Sequence, residues 1–210
     1  IQEEVDFHNH KKGTPTMGGL FIVFGTFAGY ALSHINFWTI GEGFKVEITS
    51  MNMNVLLIFV LALLMASVGL LDDFLKVKAG RNLGLKPSQK ISLQFLVGLI
   101  SAYYFIYLNY ESSFYFFSGL GFDIGILKWI LVIFFIVGIT NSVNFTDGLD
   151  GLVAGSSAIS FGGILIISFW IYRHPEYYSK FIGQDFLTVE ISLLISAVAG
   201  ACLGFLWWNT

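Results

Sequence analysis

Six stretches of this chain are apolar, nearly free of charge and about as long as a bilayer is thick: residues 17–35, 53–71, 91–108, 125–143, 152–172 and 189–208. A hydrocarbon core about 30 Å thick takes roughly 20 helical residues to cross. Lipid offers backbone groups no hydrogen-bond partners, so each crossing must be a helix or a strand of a closed barrel. Strict apolar–polar alternation is absent from all six, which argues against a barrel. With 55% hydrophobic and 12% charged residues, an ordinary soluble domain is excluded. The expected fold class is an all-α polytopic membrane protein, one bundle of six transmembrane helices over residues 1–210. The chain does not begin with Met and stops at Asn209-Thr210, just after a span. It reads as an excerpt of a longer protein, lacking an N-terminal span and a C-terminal part.

Basic residues orient the bundle. Lys11, Lys12, Lys76, Lys78, Arg81, Lys86 and Lys90 fall on one face; Lys45, Lys128, Arg173 and Lys180 fall on the other. The first face is expected to be cytoplasmic by the positive-inside rule. Trp38, Trp129, Trp170, Trp207 and Trp208 lie near span ends, as interfacial anchors do. On the opposite face, aromatic runs in residues 109–124 around Ser118-Gly119 read as a β-hairpin. In the sixth span Ala197, Gly200, Ala201 and Gly204 form a small-residue face for close helix contact. Cys202, the one cysteine, reads as packing, and His34 as a satisfied or interfacial polar residue.

Three polar clusters share the predicted cytoplasmic face. His8-Asn9-His10-Lys11-Lys12-Gly13-Thr14-Pro15-Thr16-Met17-Gly18-Gly19 puts lysines, hydroxyls and Gly amides ahead of a helix start, which suits a phosphate or nucleotide. Spacing alone fits a capped helix entry equally well. Asp72 and Asp73 follow the uncharged residues 55–71 directly, with Lys76 one turn on. Charge at an apolar boundary is costly and marks a metal, proton or ionic substrate site. Adjacent helical residues diverge by about 100°, so the two carboxylates are expected to divide the work. The alternative is a solvated helix C-terminus with an Asp73–Lys76 pair, which the helix dipole disfavours. In Asn141-Ser142-Val143-Asn144-Phe145-Thr146-Asp147-Gly148-Leu149-Asp150-Gly151-Leu152, Asn141 and Asn144 share a helix face. The helix is expected to end near Phe145 and give way to a tight loop that suits a ribose, a base or hydrated Mg²⁺. Lys90 opens a helix, where a cation opposes the dipole and favours an anion partner; Arg81 and Lys86 are expected to set topology.

These clusters, in this order and spacing, resemble the polyprenyl-phosphate N-acetylhexosamine-1-phosphate transferases. The segments Lys11 to Gly19, Leu71-Asp72-Asp73-Phe74-Leu75-Lys76 and Asn141 to Leu152 carry the resemblance, which extends to Gly204-Phe205-Leu206-Trp207-Trp208-Asn209-Thr210. The first segment is similar to that of the cell-wall branch rather than of the relatives that transfer GlcNAc-1-phosphate. Where the family has Gly-Pro ahead of its first His, Val5-Asp6-Phe7 stand here before His8. The family's third catalytic Asp and its His-rich loop would follow Thr210.

The resemblance implies a Mg²⁺-dependent enzyme of the bacterial cytoplasmic membrane, active on the cytoplasmic face in peptidoglycan synthesis. It would transfer phospho-MurNAc-pentapeptide from its UDP carrier to undecaprenyl phosphate, giving lipid I and UMP. Asp72 is then the expected proton acceptor and Asp73 the residue near the metal, with Asp72 beside it. Substrate contacts are expected at Lys11, Thr16, Lys76, Lys90, Asn141, Asn144, Asp147, Gly148, Leu149 and Asp150. Membrane lipid is an expected partner, nucleic acid is not, and a homodimer is left open. The alternatives are transfer of GlcNAc-1-phosphate to the same lipid, or, from another class, a transporter. A transporter would favour acids at the bilayer midplane rather than at one edge.

Overall fold

The computed structural model describes residues 18–38, 45–79, 84–108, 114–117, 120–122, 126–147, 151–182 and 185–209. In chain order its elements are α1 (Gly18–Leu32), β1 (Ile35–Trp38), β2 (Lys45–Ile48), α2 (Met53–Ala79), α3 (Pro87–Tyr103), β3 (Phe114–Phe117), β4 (Leu120–Phe122), α4 (Leu127–Thr146), α5 (Leu152–Arg173), α6 (Pro175–Ile182) and α7 (Asp185–Asn209). Local chemistry sets several boundaries. The Asn52 side chain accepts the Asn54 N–H at 2.8 Å and so caps α2, a role asparagine favours. Pro87 stands in the first turn of α3, where its missing N–H leaves no bond unmade. Gly151 precedes α5 with φ 77°, a left-handed conformation that a side chain would strain.

Four helices are long and apolar enough to cross a membrane: Met53–Lys78, Leu127–Thr146, Leu152–Arg173 and Thr188–Trp208. The other two expected spans differ from the sequence reading. The first stops at Leu32, because Ser33 and His34 form a turn and Ile35 enters a strand. The third begins earlier, at Pro87, and after Tyr103 changes to a π-helical turn, Tyr104–Leu108. α2 also departs from expectation. It continues through Asp72 and Asp73 to Ala79, so the acids lie inside the helix rather than at its end, and the dipole penalty assigned to them is small.

The hairpin expected within residues 109–124 is present: β3 pairs antiparallel with β4, Phe114 opposite Phe122 and Phe117 opposite Leu120. A second hairpin was not anticipated. β1 pairs with β2 from Ile35 opposite Ile48 to Trp38 opposite Lys45.

Large apolar side chains face outward along every long helix, among them Phe24, Leu64, Phe134, Ile139, Ile166 and Leu203. No residue of α4 is buried. A water-soluble chain does not expose such a surface; lipid is the solvent it fits.

α7 lies between α1 and α5. α1 runs antiparallel to it: Gly18 meets Phe205 at one end, and a Cβ on Gly25 or Gly29 would stand 3.3 Å from Ala201 or Ala197. The small-residue face expected on this helix is therefore only half used. Ala197 and Ala201 meet α1, whereas a Cβ on Gly200 or Gly204 would touch nothing within 4 Å, since each sits about 100° from its neighbour around the helix. Cys202 is buried, as expected of a packing residue. α2 packs on α3 and α3 on α4, with Gly98 against Ile133. The end of α2, the start of α3 and the end of α4 thereby meet at one end of the bundle.

At the other end His34, 2% exposed, is the satisfied polar residue expected. Its Nδ1–H donates to the Tyr30 carbonyl at 2.9 Å, and its Nε2 stands 3.2 Å from both carboxyl oxygens of Glu190. The Tyr30 hydroxyl bonds the same carboxyl group.

Candidate active site

Asp72 organises the end where α2, α3 and α4 meet. Its residue is 5% exposed, and taking a carboxylate out of water costs several kcal/mol unless it is compensated. Three donors compensate it. The Leu85 N–H bonds Oδ1 at 2.8 Å. Oδ2 takes the Lys76 ammonium at 2.8 Å and the Lys90 ammonium at 3.4 Å. One ammonium comes from the next turn of the same helix, the other from the first turns of α3.

Asp73 is on the neighbouring face, more exposed, and bonds only Lys76, at 3.1 Å, among the described residues. The two carboxylates thus diverge as expected, yet Lys76 reaches both. The pairing expected only of a structural helix end, Asp73 with Lys76, coexists with the buried Asp72. Two acids and two lysines leave the cluster formally neutral.

Lys90 carries the network onward to α4, donating to Asn144 Oδ1 at 3.0 Å. One turn deeper, Asn141 Nδ2 donates to Gln94 Oε1 at 2.7 Å. Asn141 and Asn144 both face α3, as their spacing requires. α4 ends at Thr146, one residue past the expected point, and the exposed Asp147 follows with its N–H on the Val143 carbonyl at 3.2 Å. Lys11, Thr16, Arg81, Gly148, Leu149 and Asp150 lie outside the described residues.

Gly84 and Gln94 were not among the expected site residues. Gly84 allows the α2–α3 connection to lie on Asp72: a Cβ there would collide with Oδ1 and stand 2.8 Å from the Asp72 carbonyl oxygen. Gly84→Ala is therefore expected to push Leu85 away and strip Asp72 of its backbone donor. An acceptor left unmatched costs about 1–3 kcal/mol, which should lower the thermal midpoint of the protein in detergent; an unchanged midpoint would show that the loop relaxes freely. Gln94 carried one signal, a lone amide inside an apolar run and one turn from Lys90.

The arrangement offers a carboxylate for a proton or cation and two ammonium groups for an anion. Among the described residues no group of three His, Cys, Asp or Glu side chains could hold a metal ion. The Asp72 and Asp73 carboxylates diverge and both Asp72 oxygens are taken by donors; Mg²⁺ usually takes one or two carboxylates and completes its shell with water and substrate phosphates.

Comparison with known proteins bears on the same segments. The family described as glycosyl transferase family 4 matches residues 55–210, and phospho-N-acetylmuramoyl-pentapeptide-transferase signature 1 matches residues 11–23. Curated proteins named phospho-N-acetylmuramoyl-pentapeptide-transferase are similar along almost the whole chain. That of Nocardia farcinica is 35% identical over 216 residues, covering 96% of this chain and 58% of its own length. Those of Rhodococcus jostii and Corynebacterium diphtheriae are each 36% identical, with the same coverage of 96% and 58%. The chain thus spans somewhat under three-fifths of the length of these relatives. It belongs to glycosyl transferase family 4 and bears the phospho-N-acetylmuramoyl-pentapeptide-transferase signature where α1 begins.

Proposed function

We propose that the full-length protein transfers phospho-MurNAc-pentapeptide from UDP-MurNAc-pentapeptide to undecaprenyl phosphate, giving lipid I and UMP at the cytoplasmic face of a bacterial membrane. One observation supports this most directly: a buried carboxylate holding two lysines at one end of a lipid-exposed bundle. A lipid phosphate and a soluble nucleotide sugar can meet only at such an edge. The bundle is read as six crossings, with α1 and α3 completing the four long helices, and the lysine-rich end facing the cytoplasm.

An incoming phosphate competes with Asp72 for Lys76 and Lys90, which move from carboxylate to phosphate oxygen and free Oδ2. Asp72 then accepts the proton of the lipid phosphate. The deprotonated oxygen forms a bond to the sugar-bearing phosphorus of the UDP sugar, and the bond from that phosphorus to the bridging oxygen breaks to release UMP. Lys90, held by Asn144, stays over the phosphates. Asp73, with Asp72, would hold Mg²⁺, which when bound offsets charge on the pyrophosphate. Lys11, Thr16, Asn141, Asp147, Gly148, Leu149 and Asp150 are assigned to the nucleotide sugar.

The test is UMP release by the full-length protein in detergent with undecaprenyl phosphate, UDP-MurNAc-pentapeptide and Mg²⁺, with UDP-GlcNAc in parallel. Release that needs the pentapeptide and stops with EDTA is the expected result. Turnover of UDP-GlcNAc alone would assign the protein to GlcNAc-1-phosphate transfer, and release unaffected by EDTA would remove the metal from the proposal.

A further inference from the structure

The hydrogen bonds between α3 and α4 fix which way round the site's two asparagines lie. A backbone carbonyl can only accept, so the Asn141 atom 2.8 Å from the Val137 oxygen is Nδ2. The same nitrogen lies 2.7 Å from the Gln94 side chain, and the atom facing it there must be Oε1. Both N–H groups of the Asn141 amide are thereby used, and Oδ1 is its remaining polar atom. Asn144 has the opposite sense. Lys90 can only donate, so the atom it meets at 3.0 Å is Oδ1, which leaves Asn144 with N–H groups to offer. One turn apart on α4, the chain presents an acceptor from Asn141 and a donor from Asn144.

Gln94 is 0% exposed, and its Nε2 has no partner among the described residues. A buried amide left half unsatisfied lowers stability, and replacing both Gln94 and its partner Asn141 by apolar side chains of similar shape would be near neutral or stabilising. Fold stability therefore does not account for an amide here. Its Oε1 does what an apolar residue cannot, which is to hold Asn141 against turning over. The Val137 carbonyl is a weaker hold, because in an α-helix it already accepts the backbone N–H of Asn141.

We propose that Gln94 is a positioning residue that fixes the polarity of the Asn141 amide, so that Asn141 offers its oxygen to a hydroxyl or N–H group of the nucleotide-sugar substrate. This rests on the transferase reading above and adds a determinant of substrate affinity to it.

Steady-state UMP release by the full-length protein tests it, with UDP-MurNAc-pentapeptide varied at saturating undecaprenyl phosphate and Mg²⁺. Gln94→Met is expected to raise KM for the nucleotide sugar about tenfold, the effect of losing one oriented hydrogen bond, while kcat changes less than threefold. Gln94→Glu keeps an acceptor toward Asn141 and should restore KM to within threefold of the unmodified protein. Gln94→Met combined with Asn141→Ala should raise KM no further than Asn141→Ala alone, because Gln94 acts only through Asn141. An unchanged KM in Gln94→Met, or additive effects in the double variant, would overturn the proposal. If Gln94→Met gives no folded protein, Gln94→Glu with Asn141→Asp carries the test. Two carboxylates face one another only in that pair, so its KM should exceed that of Gln94→Glu at least tenfold, and equal values overturn the idea. Absence of any turnover by the unmodified protein sinks the transferase reading, and this one with it; turnover with KM insensitive to Gln94 sinks this one alone.

Discussion

Asp72→Asn in the full-length protein is expected to lower kcat for UMP release by about 10²–10⁴, the usual contribution of a positioned acid or base, while leaving the fold in place. The amide keeps an oxygen for the Leu85 N–H, so the connection from α2 to α3 retains its anchor. What it lacks is the charge that holds Lys76 and Lys90 and the basicity to take a proton. Asp73→Asn removes a carboxylate that is more exposed and bonds only Lys76 among the described residues; its effect should be smaller and should appear mainly as a higher Mg²⁺ requirement. The comparison separates the two roles. Asp72→Asn retaining more than a tenth of the parent rate would end the proton-acceptor assignment, and equal losses in both variants would mean that the acids act as one unit.

The long apolar segments made most of the bundle legible, because lipid imposes one solution on an apolar run of that length. α4, α5 and α7 lie where hydropathy placed them. The errors have physical causes. α2 runs past Asp72 and Asp73 because a helix can carry two acids when lysines at the next turn and on the neighbouring helix compensate them. Lys90, the distant partner, is invisible to a reading of local spacing. α1 stops at Leu32 although the apolar pattern runs on to Ile35, because His34 is turned inward to Glu190, 156 residues away in the chain. β1 and β2 are short, and β2 is exposed throughout, so no inward-facing alternation marked it.

The candidate site was legible in its residue types and less so in its connections. Asp72, Lys76, Lys90, Asn141 and Asn144 stood out as polar groups at apolar boundaries, and the structure brings all five to one end. Gly84 could not be recognised before Asp72 was seen lying against it. Gln94 was passed over because one amide in a span reads as tolerated, and its meaning depends on Asn141 opposite.

The largest effect on stability is expected at the other end of the bundle, where Glu190 is 3% exposed in the largely apolar α7. His34 donates through Nδ1 to the Tyr30 carbonyl, its Nε2 stands 3.2 Å from both carboxyl oxygens of Glu190, and the Tyr30 hydroxyl bonds the same carboxyl group. Glu190→Leu leaves the imidazole and the phenol buried without their shared partner; breaking a buried pair from one side typically costs about 3–5 kcal/mol. Denaturant unfolding of the full-length protein in detergent should show a loss of that size. Removing both members is expected to cost less than removing one: in His34→Leu with Glu190→Leu no orphaned imidazole remains, and the apolar side chains can pack between α1 and α7. A double variant less stable than Glu190→Leu would mean that each residue contributes separately, and an unaltered Glu190→Leu would mean that the α1–α7 contact does not depend on Glu190 and is held by close packing such as that of Gly25 and Gly29 on Ala201 and Ala197.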